Sequence, residues 1–196
     1  MTSDNKTIHL VTHNPNKVRE FKLILEPKVN VEQVDFDYLE LRSDDPEEIA
    51  KLGAKQMADK YEKIIVVEDS GFFIEKLDGF PGTCSAYVHK KIGLKGIIAL
   101  MKNFDSKEDR KCQYKSAIGF CEPCGEPRSF LGTEKGIVAN EIHKGNGWGH
   151  DPIFIPLEKD NPDKKTYAEI KVENDISLFR RKSLEKLKEY LLNNKD

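Results

Sequence analysis

No apolar run in this chain approaches the ~20 residues that a bilayer crossing requires. Its first ten residues also lack the basic start and long apolar middle of a secretory signal. A soluble, cytoplasmic protein with no membrane partner is expected. An excess of either charge is missing too: 32 basic and 34 acidic residues are mixed throughout and give a formal net charge of -2. No strong net field draws in DNA or another polyanion, so nucleic acid is not an expected partner and any bound anion must be gripped locally. Cysteine is scarce. Cys84, Cys112, Cys121 and Cys124 are too few and too scattered for a disulfide framework in 196 residues, and reduced thiols are expected. Cys121 and Cys124 do spell C-x-x-C, but a structural zinc site needs four ligands, which Cys112 and His143 complete only awkwardly. A turn that carries thiols is the simpler reading. Repeats, low-complexity tracts and a clear linker are absent. So are the G-x-x-x-x-G-K-S/T of a P-loop and any G-x-G-x-x-G following a strand.

What is present, 38% hydrophobic and 34% charged residues, suits one globular domain over 1–196, with room for one lobe or two. Ile8 to Thr12 reads as a short buried strand. A helix then starts with Asn14 as N-cap and Pro15 at the first helical position, and Val18, Phe21 and Leu25 form one apolar face. A second strand is predicted over Val29 to Val34. Asp45-Pro46-Glu47-Glu48 starts a further helix whose stripe is Ile49, Gly53, Met57 and Tyr61. Ile64 to Val67 is a continuous run of the kind found in strands covered on both faces. This alternation argues for an α/β sheet with parallel members. Tyr114 to Cys121 and Arg128 to Leu131 flank a Pro/Gly-rich turn as an antiparallel hairpin, with Gly136 to Ala139 as an extension. Leu184, Leu187 and Leu191 define a C-terminal amphipathic helix.

Ligands of open α/β sheets bind beyond the carboxyl ends of the strands, and Glu68 and Asp69 stand at such a predicted end. They are either a solvated strand terminus or a pair placed to meet a cation or an attacking water. Both can reach one ligand only if the strand breaks at Ser70-Gly71, because neighbouring strand residues face opposite ways. Thr12, Asn14 and Lys17 lie where a strand passes into a helix, and there free N–H groups and the helix dipole favour phosphate. The plainer alternative is a cap and a surface lysine. Glu40 could complete a Mg²⁺ site with Asp69, or simply be solvated, and Lys55 is either a second phosphate clamp or a snorkelling lysine. Trp148, held between glycines, offers a flat face for a nucleobase, and Asp151 an acceptor for a ring N–H; a core anchor and a turn are the alternatives. His150 reads as a loop histidine.

Four segments, "VTHNPNKVREF", "VVEDSGFFIEKLDGFPG", "GWGHDPIF" and "TYAEI", resemble in order and spacing the inosine triphosphate pyrophosphatases, which act on noncanonical purine nucleoside triphosphates. The resemblance runs from about Ile8 to Tyr190. It implies an elongated central mixed β-sheet with flanking helices, two lobes around a long cleft, and usually a homodimer. It further implies Mg²⁺-dependent hydrolysis of ITP, dITP or XTP to the monophosphate and pyrophosphate, with Mn²⁺ as a substitute metal, cleansing the nucleotide pool.

By position the resemblance makes Thr12, Asn14, Lys17 and Lys55 phosphate-binding residues, places Ser70 and Gly71 in the active-site turn, and assigns base recognition to Trp148 and Asp151, with His150 beside them. Asp69 becomes the catalytic carboxylate, and Glu40, Glu68 and Asp69 the metal carboxylates. The family's final Ser-His-Arg departs here to "KVENDISLFRRKSLEKL". Arg180 takes the arginine position and Phe179 stands where histidine is expected. Ser177 fits with a one-residue shift, and Lys171 is the nearest replacement for the usual lysine. In this reading Arg180 donates to the purine O6. Two alternatives are a Maf-like pyrophosphatase acting on pyrimidine or modified nucleotides, which "GWGHDP" and "TYAEI" argue against, and a catalytically silent nucleotide binder.

Overall fold

The computed structural model describes residues 6–36, 41–158, 160–170 and 175–193, so Glu40 and Lys171 lie outside the described residues. Its strands are β1 (Thr7–Val11), β2 (Asn30–Val34), β3 (Ile65–Ile74), β4 (Pro81–Gly82), β5 (Lys111–Cys121), β6 (Arg128–Val138) and β7 (Phe154–Pro156). The helices are α1 (Pro15–Leu25), α2 (Pro46–Tyr61), α3 (Ser85–Leu100), α4 (Tyr167–Ile170) and α5 (Leu178–Asn193). One seven-stranded sheet runs in the order β2-β1-β3-β5-β6-β7, with β4 paired to β3. It is mixed: β1 is parallel to β2 and β3, whereas β4 on β3 and β7 on β6 are antiparallel. Among the described residues no helix is long and apolar enough to cross a membrane.

The chain forms two compact units: residues 1–69, 116–132 and 178–196, and residues 70–115 with 133–177. In the first, both predicted caps form. The Asn14 side chain accepts from the Asn16 N–H and Asp45 from the Glu47 N–H, each ahead of a proline in the first turn. Strand residues then alternate between two apolar layers. Ile8, Leu10 and Val66 pack with Phe21 and Leu25 of α1 and Leu184 and Leu187 of α5. Val11, Ile65 and Val67 pack with Ala54, Met57 and Ala58 of α2. Each fully buried Leu, Ile or Phe contributes roughly 1.5–3 kcal/mol, so these two layers fix the register of β1 on β3.

The second unit is built on aromatics. Phe72, Tyr114, Phe154 and Tyr167 follow one another at centroid separations of 5.1, 4.7 and 5.1 Å, and the Tyr167 hydroxyl donates to the buried Glu134. Arg110 staples its connections by donating to the carbonyls of Met101, Phe104, Val138 and Ala139.

One sequence expectation fails in an instructive way. Strand β3 does not break at Ser70-Gly71 but continues for ten residues to Ile74. Gly71 serves a close approach: a Cβ there would lie 2.4 Å from the Gly82 carbonyl oxygen, where β4 pairs with β3. Glu68 and Asp69 are therefore mid-strand residues. By strict alternation Glu68 follows Val66 to the α1/α5 face and Asp69 follows Val67 to the α2 face.

Candidate active site

In the first unit the register pairs Val11 with Val67, so the chain leaves β1 level with the step to Glu68 and Asp69. The turn that follows is held by its own side chains. Thr12 Oγ1 accepts from the Asn14 N–H at 3.2 Å and Asn14 Oδ1 from the Asn16 N–H at 2.9 Å. With both oxygens used as acceptors, the Thr12 hydroxyl hydrogen and the Asn14 amide group remain as donors at the start of α1. Lys17, one turn on, donates to the Glu68 carbonyl at 2.8 Å and pairs with Glu68 Oε2 at 2.8 Å, its side chain 17% exposed.

Glu68 is enclosed. Its Oε1 accepts from Ser116 Oγ at 2.7 Å and from Arg180 Nε at 3.0 Å, while Arg180 Nη1 donates to Glu20 Oε2 at 2.7 Å. The Glu20, Glu68 and Arg180 side chains have no solvent exposure. Burial alone would push the Glu68 carboxyl up, but Arg180 and then Lys17 overcome it and hold the group at about 2. The Arg180 guanidinium is likewise raised against burial by Glu68 and Glu20.

Two expectations change here. A carboxylate already wrapped by two cations and a hydroxyl does not suit Glu68 as a metal ligand, and it points to the opposite face from Asp69. Arg180, expected at the purine O6, is committed inside the first unit to two carboxylates. Phe179 is buried under the Arg180 guanidinium, 5.1 Å from it. Lys55 lies on α2 and donates to both carboxylate oxygens of Asp59, at 2.7 and 2.6 Å, so a phosphate would have to compete with that pair. Asp69 is half-buried. As a hard oxygen donor it suits Mg²⁺, which takes one or two carboxylates and fills its sphere with water and phosphate oxygens.

In the second unit Ser70 is half-buried and Gly71 buried on β3. Trp148 is half-buried and its backbone N–H donates to Asp151 Oδ2 at 3.1 Å, while Tyr114 Oη donates to Asp151 Oδ1 at 3.3 Å. Asp151 is thus fixed from both sides. Gly149, at φ +64°, lets the chain turn tightly between Trp148 and His150. Ser177 is buried immediately before α5 begins.

His150 is no loop decoration. The residue is 4% exposed, its ring stacks on Phe72 at 4.8 Å and meets the edge of His89 at 5.3 Å, and among the described residues its buried Nε2 has no hydrogen-bond partner. Burial first, and then His89, lower its pKa to about 3. The folded value lies below the unfolded one, so the stability this neutral ring contributes is complete above about pH 6.5 and is lost as the pH falls towards 3. His150→Phe keeps the stack and removes the titration. Unfolding free energies from urea titrations between about pH 6.5 and pH 4 should fall less steeply in the variant, by up to about 1.4 kcal/mol per pH unit. Equal slopes would show that His150 is not held neutral.

Sequence reasoning missed Glu20, Ser116, Tyr114, Phe72 and His89. For Glu20 a signal existed: an acid beside Phe21, on the buried side of α1 and one turn from Lys17.

The sequence profile of the Ham1 family matches residues 8–190. A protein of Methanopyrus kandleri named dITP/XTP pyrophosphatase is 44% identical over 185 residues, 93% of this chain and 95% of its own. One of Pyrococcus horikoshii with the same name is 38% identical over 186 residues, 94% and 96% of the two chains. The structure of the Staphylococcus aureus Ham1 protein superimposes with a TM-score of 0.82 at 29% identity, covering 97% of this chain and 100% of that one. With the profile spanning nearly the whole chain and relatives this similar end to end, the protein belongs to the Ham1 family.

Proposed function

We propose that this protein hydrolyses noncanonical purine nucleoside triphosphates, ITP, dITP and XTP, to the monophosphate and pyrophosphate, and so clears them from the nucleotide pool. The observation that carries the reading is Lys17. Its ammonium, at the start of α1, is anchored on the carbonyl and carboxylate of Glu68, the residue before Asp69. Charge neutralisation is thereby tied to the strand position that supplies the water-activating group. The names of the Methanopyrus and Pyrococcus relatives support the substrate class.

In this mechanism Thr12, Asn14 and Lys17 take phosphate oxygens at the helix start, and Lys55 is a second clamp once it leaves Asp59. Asp69 orients a water and receives its proton as that water attacks the α-phosphorus. The bond to the bridging oxygen breaks and pyrophosphate departs. Bound Mg²⁺, or Mn²⁺ in its place, would offset triphosphate charge, and Asp69 with Glu40 would hold it. Trp148 gives the base a face, and Asp151 accepts the N1–H that hypoxanthine and xanthine carry and adenine lacks. Arg180 acts at a distance by holding Glu68, so discrimination falls to Trp148 and Asp151. A cytoplasmic location and a homodimer belong to the same proposal.

The test is incubation with Mg²⁺ and ITP, XTP, dITP, GTP, ATP or UTP in turn, with products read by phosphorus NMR. Pyrophosphate from the first three, at rates about a hundredfold or more above ATP, is the expected result. Orthophosphate, a UTP preference or no turnover would each defeat it.

A further inference from the structure

The group that the proposed mechanism leaves unused is Glu20. It is fully buried, so it cannot touch a nucleotide, and a buried carboxylate survives only where its charge is matched. Its Oε2 takes Arg180 Nη1 at 2.7 Å, and its Oε1 lies 3.4 Å from Arg19 Nη2. From there the contacts alternate in sign: Glu20 to Arg180, Arg180 Nε to Glu68 at 3.0 Å, Glu68 to Lys17 at 2.8 Å. Lys17 and Glu20 are one turn apart on α1, so the helix closes this chain of charges into a ring. Of the four side chains, only Lys17 reaches solvent.

We propose that Glu20 is a positioning residue for Lys17, fixing through Arg180 and Glu68 where the Lys17 ammonium sits. The inference rests on Lys17 being a phosphate-binding residue. Physically, Arg180 turns Nε to one carboxylate and Nη1 to the other. With Glu20 neutral, more of the pull of Arg180 falls on Glu68 and draws that carboxylate towards a two-pronged grip. Glu68 Oε2 then leaves Lys17, whose ammonium keeps only the Glu68 carbonyl and no longer has a single resting place. Ser116, donating to Glu68 Oε1 and touching Ser183 Oγ at 3.0 Å, resists a larger shift but does not replace the lost acceptor.

A double-mutant cycle separates this role from a merely structural one. Four proteins are compared in kcat/KM for ITP: wild type, Glu20→Gln, Lys17→Met and the double variant. In the Lys17 background Glu20→Gln should lower kcat/KM about tenfold or more, the usual cost of losing an outer-shell partner. With Lys17→Met already present the same change should cost nothing further. Equal losses in both backgrounds overturn the positioning role while leaving the phosphate role of Lys17 intact. A Lys17→Met protein with wild-type kcat/KM overturns both. Should Glu20→Gln not fold, Glu20→Asp keeps the charge and withdraws it by one methylene. Its smaller loss must likewise disappear with Lys17→Met, and persistence there counts against the inference.

Discussion

Replacement of Asp69 by asparagine is expected to lower kcat for ITP by about a thousandfold, with KM changed by no more than about threefold. The amide has the shape of the carboxylate but cannot take a proton from water, and it is a poorer ligand for a hard cation. Its neighbours stay in place. Lys17 is anchored on Glu68, which faces the α1/α5 side of β3, whereas Asp69 faces the α2 side. The ion ring around Arg180 runs through Glu20, Glu68 and Lys17, and because the substitution is isosteric the variant should unfold close to the wild-type midpoint. Initial rates of pyrophosphate release at saturating ITP check the prediction. A variant that keeps its velocity would take the reaction chemistry away from β3 altogether.

The parts of this structure that were legible in the sequence are those set by neighbours in the chain. Asn14-Pro15 and Asp45-Pro46 each carry a cap acceptor and a proline within two residues, and both helices begin where those pairs predict. The leucines of α5 bury as their spacing requires. Misreadings arise where the cause lies far along the chain. The strand is expected to end at Glu68-Asp69 because the apolar run stops at Val67, yet it continues through Ser70 and Gly71, and that glycine answers to the Gly82 carbonyl beyond an intervening turn. Helix α3 was not anticipated: Gly93, at φ +62° inside it, and Gly96 interrupt the apolar rhythm that marks a helix.

The candidate site shows the same division. The turn residues Thr12, Asn14 and Lys17 announce their chemistry through spacing alone. The fate of Glu68 does not, since its cations come from 51 positions before it and 112 after it. Two adjacent carboxylates suggest one metal site until strand alternation separates them. His150 looked incidental because neither Phe72 nor His89 is near it in sequence.

Arg180→Met should be the most destabilising of these substitutions, and its cost should depend on pH in a particular sense. Methionine fills much of the volume but leaves Glu20 and Glu68 buried without their shared cation, which at neutral pH costs about 3–5 kcal/mol. In the wild type the Glu68 carboxyl is held at about 2, below its unfolded value of 4.5. Its contribution is therefore complete above about pH 5 and is lost as the pH falls towards 2; a shift of that size corresponds to about 3 kcal/mol. Without Arg180, burial acts against only Lys17 and Ser116, so the folded value rises and the variant loses less, or gains, on acidification. The gap between the two proteins should be widest near neutrality and should close by roughly half or more at about pH 4. His150 titrates in both proteins and cancels from the difference. Urea unfolding at the two pH values reads the gap directly. A difference that stays constant would mean that Arg180 stabilises the fold by packing alone and that the charge ring around Glu68 is not what holds Lys17 in place.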